Sequence, residues 1–284
     1  MFEHSSDHDD LHARVFSWVT PRLRQLPWRD ERDPWKILVS EIMLQQTSVQ
    51  RVLGKWEAFI AEFPTTHTCA EAELGHVLRL WQGLGYPRRA RNLHNASRVI
   101  VSEHSGRVPR LLDELMALPG VGPYTARAVM AFAFEDDVAV VDTNIARVLR
   151  RLTGESLSPR STQVVADEVL PEGESWLWNQ AMMDLGATVC RPRPLCAQCP
   201  VQYVCEWRGL GVDPAERPAS TRQARFEGSD RQARGRLMKA LVSGSVLIGD
   251  VSEAMGRSPD VSMRLVDALV EEGLIRRSGD ELHL

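Results

Sequence analysis

Apolar residues recur at helical spacing through ten stretches of the first two thirds of the chain. These are Leu11–Leu23, Trp35–Leu44, Val52–Phe63, Val77–Leu80, Ala90–His104, Leu111–Ala117, Tyr124–Phe134, Asn144–Leu152, Ser161–Val169 and Trp176–Gly186. Residues three and four apart share one helix face, so this pattern predicts helices with one buried stripe each. Glycine and proline joints separate them: Gly83-Leu84-Gly85, Gly106 to Pro109, and Leu118-Pro119-Gly120-Val121-Gly122. Val138–Val141 has strand character but is too short to found a sheet. The predicted class is all-α.

Beyond Cys205 the pattern changes. Gly209 to Thr221 is rich in Gly, Pro and Ala and reads as a linker. A small unit follows, with helices predicted over Arg231–Val242, Val251–Met255 and Ser262–Glu272, the last capped by Ser262. Leu274–Arg277 and Glu281–Leu284 flank Gly279-Asp280 as a hairpin. Three helices and a hairpin make a winged-helix pattern. That pattern serves DNA contact and protein contact alike, so it assigns no role.

With 284 residues there is material for two or three compact units. No apolar run approaches the length needed to cross a bilayer. The net charge of −4 gives no general support for nucleic-acid binding. Its distribution is more suggestive. Arg88, Arg89, Arg91, Arg98, Arg107 and Arg110 are opposed only by Glu103, and Arg147, Arg150 and Arg151 form a second group. Either group could neutralise phosphates or simply lie on a solvated helix face.

Four of the five cysteines fall within one short segment: Cys190, Cys196, Cys199 and Cys205, spaced C-x5-C-x2-C-x5-C. The N-terminus is acidic and has no secretory pattern, so a reducing, cytosolic compartment is expected. There the four thiols read as metal ligands rather than disulfides. Only Cys196 and Cys199 form a CxxC knuckle, which favours a [4Fe–4S] cluster over zinc. Cys69 reads as a small buried residue.

Three further features carry chemistry. Gly120 and Gly122 allow a tight turn with outward N–H groups, and Pro123 suits a helix start, a hairpin fit for a DNA phosphate. In Val141-Asp142-Thr143-Asn144, Asp142 alone reads as an N-cap. Glu41 lies in an apolar helix, where burial would raise its pKa as a general acid requires.

Hairpin, aspartate and four cysteines in this order resemble the helix-hairpin-helix DNA glycosylases of the endonuclease III-like branch. The details resemble the MutY adenine DNA glycosylases: Leu26-Pro27-Trp28-Arg29, Ser40–Thr47, Gly83–Tyr86, Leu118–Ala126, Val141–Asn144 and Asn179–Ala187. The similarity runs from about Leu26 to Trp207, and the C-terminal unit is similar to that of short actinobacterial members. The resemblance implies a six-helix barrel with the hairpin over 30–147 and a cluster domain from 1–29 with 148–210. A linker over 211–228 and the winged-helix-like unit over 229–284 would follow. It also implies a monomeric, nucleoid-associated cytoplasmic enzyme with no membrane contact, acting on double-stranded DNA that contains adenine mispaired with 8-oxoguanine or guanine.

The implied roles follow residue by residue. Glu41 would protonate adenine and later activate water, while Asp142 would stabilise or trap the oxocarbenium-like sugar, as in retaining glycosidases. Tyr124 and Asn144 match positions that hydrogen-bond this pair. Trp28, Arg29, Leu44 and Gln180 match the pocket of the extruded base, and Gln45 and Tyr86 match residues that wedge into the duplex. Gly120, Val121, Gly122 and Tyr124 would meet the DNA backbone. The four cysteines would hold the cluster.

Bifunctional relatives place a lysine where this chain has Tyr124, so no Schiff base is expected there. The first cysteine gap is one residue shorter than the family's usual C-x6-C. About sixty residues after the linker are too few for the Nudix-like domain of long members. Two other readings remain open: a glycosylase for another base, such as thymine opposite guanine, and a non-catalytic lesion binder. Gln45-Gln46 argues against the first, and the intact set Glu41, Tyr124, Asp142 and Asn144 argues against the second.

Overall fold

A computed structural model describes residues 5–216 and 225–284. Residues 217–224, within the expected linker, and residues 1–4 lie outside the described residues. The chain forms two compact units, one of Met1–Ile37, Arg110–Met116 and Gly122–Ser220, the other of Leu38–Pro109, Ala117–Val121 and Thr221–Leu284.

The first unit contains α1 (Ser5–Val19), the start of α2 (Pro34–Leu44) and most of α8 (Leu112–Ala117). It also holds α9 (Pro123–Ala133), α10 (Thr143–Thr153), α11 (Pro159–Glu168) and α12 (Ser175–Thr188). α12 is the central element and packs against α1, α9 and α10. Leu11, Val15 and Val19 meet Ile145, Leu149, Trp178, Met182 and Leu185 in one core. Each stripe follows the helical period of the sequence, and burying it is the main stabilising term. Asp184 lies 1% exposed on α12, bridging Arg29 and Arg24. Two cations hold its carboxyl below the usual range against the opposing effect of burial, which is the largest single influence.

Val138–Val141 is not a strand. Side chains take up its backbone groups instead. Asn179 Oδ1 accepts from Val140 N at 2.9 Å and Asn179 Nδ2 donates to Val138 O at 3.0 Å. Gln163 donates to Ala139 O at 3.1 Å. No neighbouring strand is required, and the segment leads directly into Asp142.

The second unit takes the rest of α2, then α3 (Val49–Val52), α4 (Lys55–Glu62), α5 (Thr66–Glu71), α6 (Leu74–Leu80) and α7 (Arg88–Glu103). The predicted helix Val52–Phe63 is split at Gly54, whose φ of 72° ends α3 and starts α4. α5 and α6 pack on α7. The C-terminal residues of this unit form α13 (Asp230–Ser243), β1 (Val246–Leu247), α14 (Val251–Met255), α15 (Pro259–Glu271), β2 (Arg276–Ser278) and β3 (Glu281–His283). The sheet order is β1-β3-β2, all antiparallel, with Arg277 opposite Leu282 and Val246 opposite Leu282. The expected hairpin is present, and β1 adds a third strand that two residues of sequence could not announce. Ser262 is not the cap of the last helix. α15 begins earlier, with Ser258 at the N-cap position and Pro259 at N1, and Ser262 is buried within it.

α13 packs on α6, and Glu272 joins Arg88 of α7 to Arg234 of α13. The two guanidiniums pull the Glu272 carboxyl down to about 2. No helix among the described residues is long and apolar enough to cross a membrane.

Candidate active site

α10 opens on Asp142. As N-cap, its Oδ1 accepts from Asn144 N at 2.8 Å and Ile145 N at 2.6 Å, and its Oδ2 accepts from Asn144 Nδ2 at 2.8 Å. The cap reading from sequence is therefore correct, but it does not exhaust the carboxylate. Oδ2 has one donor and keeps acceptor capacity. Burial raises the Asp142 pKa, against hydrogen bonds that lower it. Removed from water, such an anion acts strongly on a nearby positive charge.

Asn144 is held at its other end by Arg147, whose Nη2 donates to Asn144 Oδ1 at 2.9 Å. Arg147 also donates to Cys190 O and Gly186 O, both at 2.7 Å. A side chain at Gly186 would come within 2.7 Å of Asn144 Cβ, so only glycine lets α12 approach α10 here. One helix turn further, Arg151 donates to Cys190 Sγ at 3.4 Å and to Arg191 O at 2.6 Å, and pairs with Asp213 at 2.6 Å. Asn144, Arg147 and Arg151 thus use one face of α10 to tie the Asp142 cap to the cysteine loop. Sequence reading placed Arg147 and Arg151 in a basic patch and missed this role. Their i, i+4 spacing before a cysteine cluster is the signal that was available.

Cys190, Cys196, Cys199 and Cys205 line one cavity of about 220 Å³, together with Arg151 and Trp207. Burial raises the thiols of Cys190 and Cys205, and that of Cys199 to about 11. Among the described residues no three His, Cys, Asp or Glu side chains gather closely enough to hold a single metal ion. The shortened loop is pinned by Arg151 on Arg191 O and Pro192 O, and by Leu195 N on Val189 O at 3.0 Å.

The remaining expected residues of the first unit fall as follows. Trp28 is buried in a 3-10 turn over Pro27–Arg29. Arg29 is buried too, and its guanidinium reaches both oxygens of Asp184, at 2.7 and 2.9 Å. Gln180 is buried on α12. Tyr124 is half-buried in the first turn of α9, which starts at Pro123 after Gly122.

In the second unit, Glu41 is 5% exposed on α2, amid the buried Leu38, Val39, Ser40, Ile42 and Met43. Leu44 ends that helix half-buried. The hairpin turns at Gly120, φ 81°, with Val121 N donating to Leu118 O at 3.1 Å. A Cβ at Gly120 would meet Asn92 Cβ at 2.8 Å. Gln45 Nε2 donates to Gly120 O at 3.4 Å. Tyr86 is 42% exposed.

Most of the first basic group has partners within the protein. Arg89 is buried and spends its guanidinium on backbone carbonyls. Arg88 pairs with Glu272, and Arg91 donates to the Glu272 carbonyl. Arg110 pairs with Asp136 and Arg98 reaches Ala70 O. An arginine-rich stretch looks like a patch in sequence because its partners lie far along the chain.

Comparison with known proteins identifies the family. Residues 39–170 match the HhH-GPD superfamily base excision DNA repair protein family. The adenine DNA glycosylase of Mycolicibacterium smegmatis is 42% identical over 279 residues, covering 94% of this chain and 93% of that protein. That of Mycobacterium tuberculosis is 39% identical, covering 94% and 91%. A thermostable thymine-DNA glycosylase superposes with a TM-score of 0.69 at 29% identity, over 72% of this chain and 97% of that one. On these matches the chain belongs to the adenine DNA glycosylases of the HhH-GPD superfamily.

Proposed function

We propose that the protein excises adenine mispaired with 8-oxoguanine or guanine from double-stranded DNA, as a monofunctional glycosylase. The observation that carries the reading is Asp142: a desolvated carboxylate, fixed by three donors, with one oxygen still able to accept. Breaking the N-glycosidic bond develops positive charge on the sugar, and a preorganised anion lowers that barrier by several kcal/mol. Glu41 serves as the acid that protonates adenine and then as the base that activates water. Tyr124 offers a phenol and no amine, so no imine forms and the strand stays intact. Trp28, Leu44 and Gln180 serve the extruded base, and Gln45 and Tyr86 enter the duplex. Gly120, Val121, Gly122 and Tyr124 meet the backbone. Arg29 serves the pocket of the extruded base, and its pairing with Asp184 fixes the turn that carries Trp28.

The same reading places a [4Fe–4S] cluster on Cys190, Cys196, Cys199 and Cys205. Four thiols around a shared volume, rather than converging on a point, suit a cluster in which each iron takes one thiolate. Bound there, the cluster would cross-link the loop, and Arg151, which donates to Cys190 Sγ, would balance the thiolate charge. About four irons per chain and no stoichiometric zinc are expected from elemental analysis of anaerobically purified protein. Zinc in place of iron would contradict this.

The function is tested by base release from duplexes carrying A opposite 8-oxoguanine, A opposite G, and T opposite G. Release from the two adenine duplexes is expected, with strand breaks only after alkali. Release of thymine alone would support the thymine glycosylase reading, and release of neither base the lesion-binder reading.

A further inference from the structure

Arg89 stands in the first turn of α7 with its guanidinium buried. Nη1 donates to Ile42 O at 2.9 Å, Met43 O at 2.8 Å and Gln45 O at 2.6 Å. Nη2 donates to Thr47 Oγ1 and Leu84 O, both at 2.9 Å, and to Gly85 O at 3.0 Å. The guanidinium also lies 5.4 Å from the Trp81 ring centroid and 5.6 Å from that of Tyr86.

These acceptors fall into three groups. The carbonyls of Ile42 and Met43 belong to the last turn of α2, where carbonyls have no intrahelical donor. Arg89 therefore caps the helix that carries Glu41. Gln45 O belongs to the peptide that precedes Gln46, and Gly85 O to the peptide that precedes Tyr86. Gln46 and Tyr86 are both non-glycine residues in the left-handed region, with φ of 54° and 49°. Residues stay in that region only where their surroundings over-determine it. One guanidinium thus fixes both of the peptide planes that set these two angles.

We propose that Arg89 is a positioning residue for base extrusion: it locks the loops of Gln45 and Tyr86, and the end of the Glu41 helix, into one rigid wedge. This rests on the glycosylase reading above. It does not involve phosphate binding, because the donors of both Nη atoms are spent on the protein. Lysine cannot replace it, since a single ammonium on a flexible stem cannot span six acceptors. Thr47 is the accessory member, because its hydroxyl accepts from Arg89 and reaches Gln45 O and Leu84 O, each at 3.3 Å.

The test compares Arg89→Lys and Thr47→Val with wild type in single-turnover adenine release. Two duplexes are used, each with A opposite 8-oxoguanine: one fully paired around the target, the other with a mismatched pair on either side. The second is already partly unstacked and asks less of a wedge. For Arg89→Lys the rate on the paired duplex is expected to fall on the order of 100-fold, the size of effect that a misplacement of about 1 Å produces. On the mismatched duplex the loss should shrink to a few-fold. A 2-aminopurine beside the target should brighten with wild type on the paired duplex and fail to brighten with the variant. Thr47→Val, which leaves Arg89 in place, should show the same substrate dependence at smaller size and decides the matter if Arg89→Lys does not fold. Equal losses on both duplexes, or wild-type rates on the paired one, would overturn the proposal. No release and no brightening by wild type itself would instead sink the glycosylase reading.

Discussion

In the proposed mechanism, Asp142 and Tyr124 carry most of the chemistry that a single residue can decide. Sequence alone made Asp142 a cap, and the geometry keeps that role while leaving Oδ2 with room to accept. What the local sequence could not display was its support, because Asn179, Gly186 and Cys190 are distant in the chain and reach it only through α12 and Arg147. Buried arginines were the hardest residues to read. Arg29, Arg89 and Arg151 each look like solvent or ligand contacts until their far partners are seen. Tyr124 makes the sharpest residue-level prediction. Wild type should give no borohydride-trapped adduct with DNA, whereas Tyr124→Lys should give trapped adducts and some strand cleavage, because an amine supplies the electron sink for β-elimination. Efficient trapping by wild type would identify a bifunctional enzyme instead.

At the scale of elements, the helices were legible because their apolar stripes are regular. Their ends were less so, as at Gly54 and Ser258, where one backbone angle or one cap decides. The link between the C-terminal unit and α6–α7 had no local signature. Beside the packing of α13 on α6, it includes Glu272, which lies just past α15 and is pulled to about 2 by Arg88 and Arg234. A carboxyl depressed in the folded state stabilises the fold fully above its unfolded pKa, here the ordinary glutamate value of 4.5. That contribution fades as pH falls from about 4.5 towards 2. Glu272→Gln should therefore lower stability at pH 7 by about 1.5–3 kcal/mol, the usual worth of hydrogen bonds to charged groups. Its difference from wild type should narrow as pH falls through that window, and urea titrations of both proteins at pH 7 and pH 3 measure this. An unchanged difference at the two pH values would show that the charge of Glu272 does not hold the contact.

For the molecule as a whole, the order of hairpin, aspartate and cysteines carried more information than the net charge. An overall charge of −4 says little when so many cations are committed inside the fold. The central claim is that Asp142 supplies the anion for glycosidic cleavage, and substitution of its charge alone tests it most directly. Asp142→Asn keeps the cap acceptor Oδ1 and relieves the burial of a charge, but sets its amide against Asn144 Nδ2, so the opposing effects leave stability little changed. Single-turnover release of adenine opposite 8-oxoguanine should then fall by several orders of magnitude, with duplex affinity retained. Release by a folded, DNA-bound Asp142→Asn protein at close to the wild-type rate would reduce Asp142 to a helix cap and contradict the account.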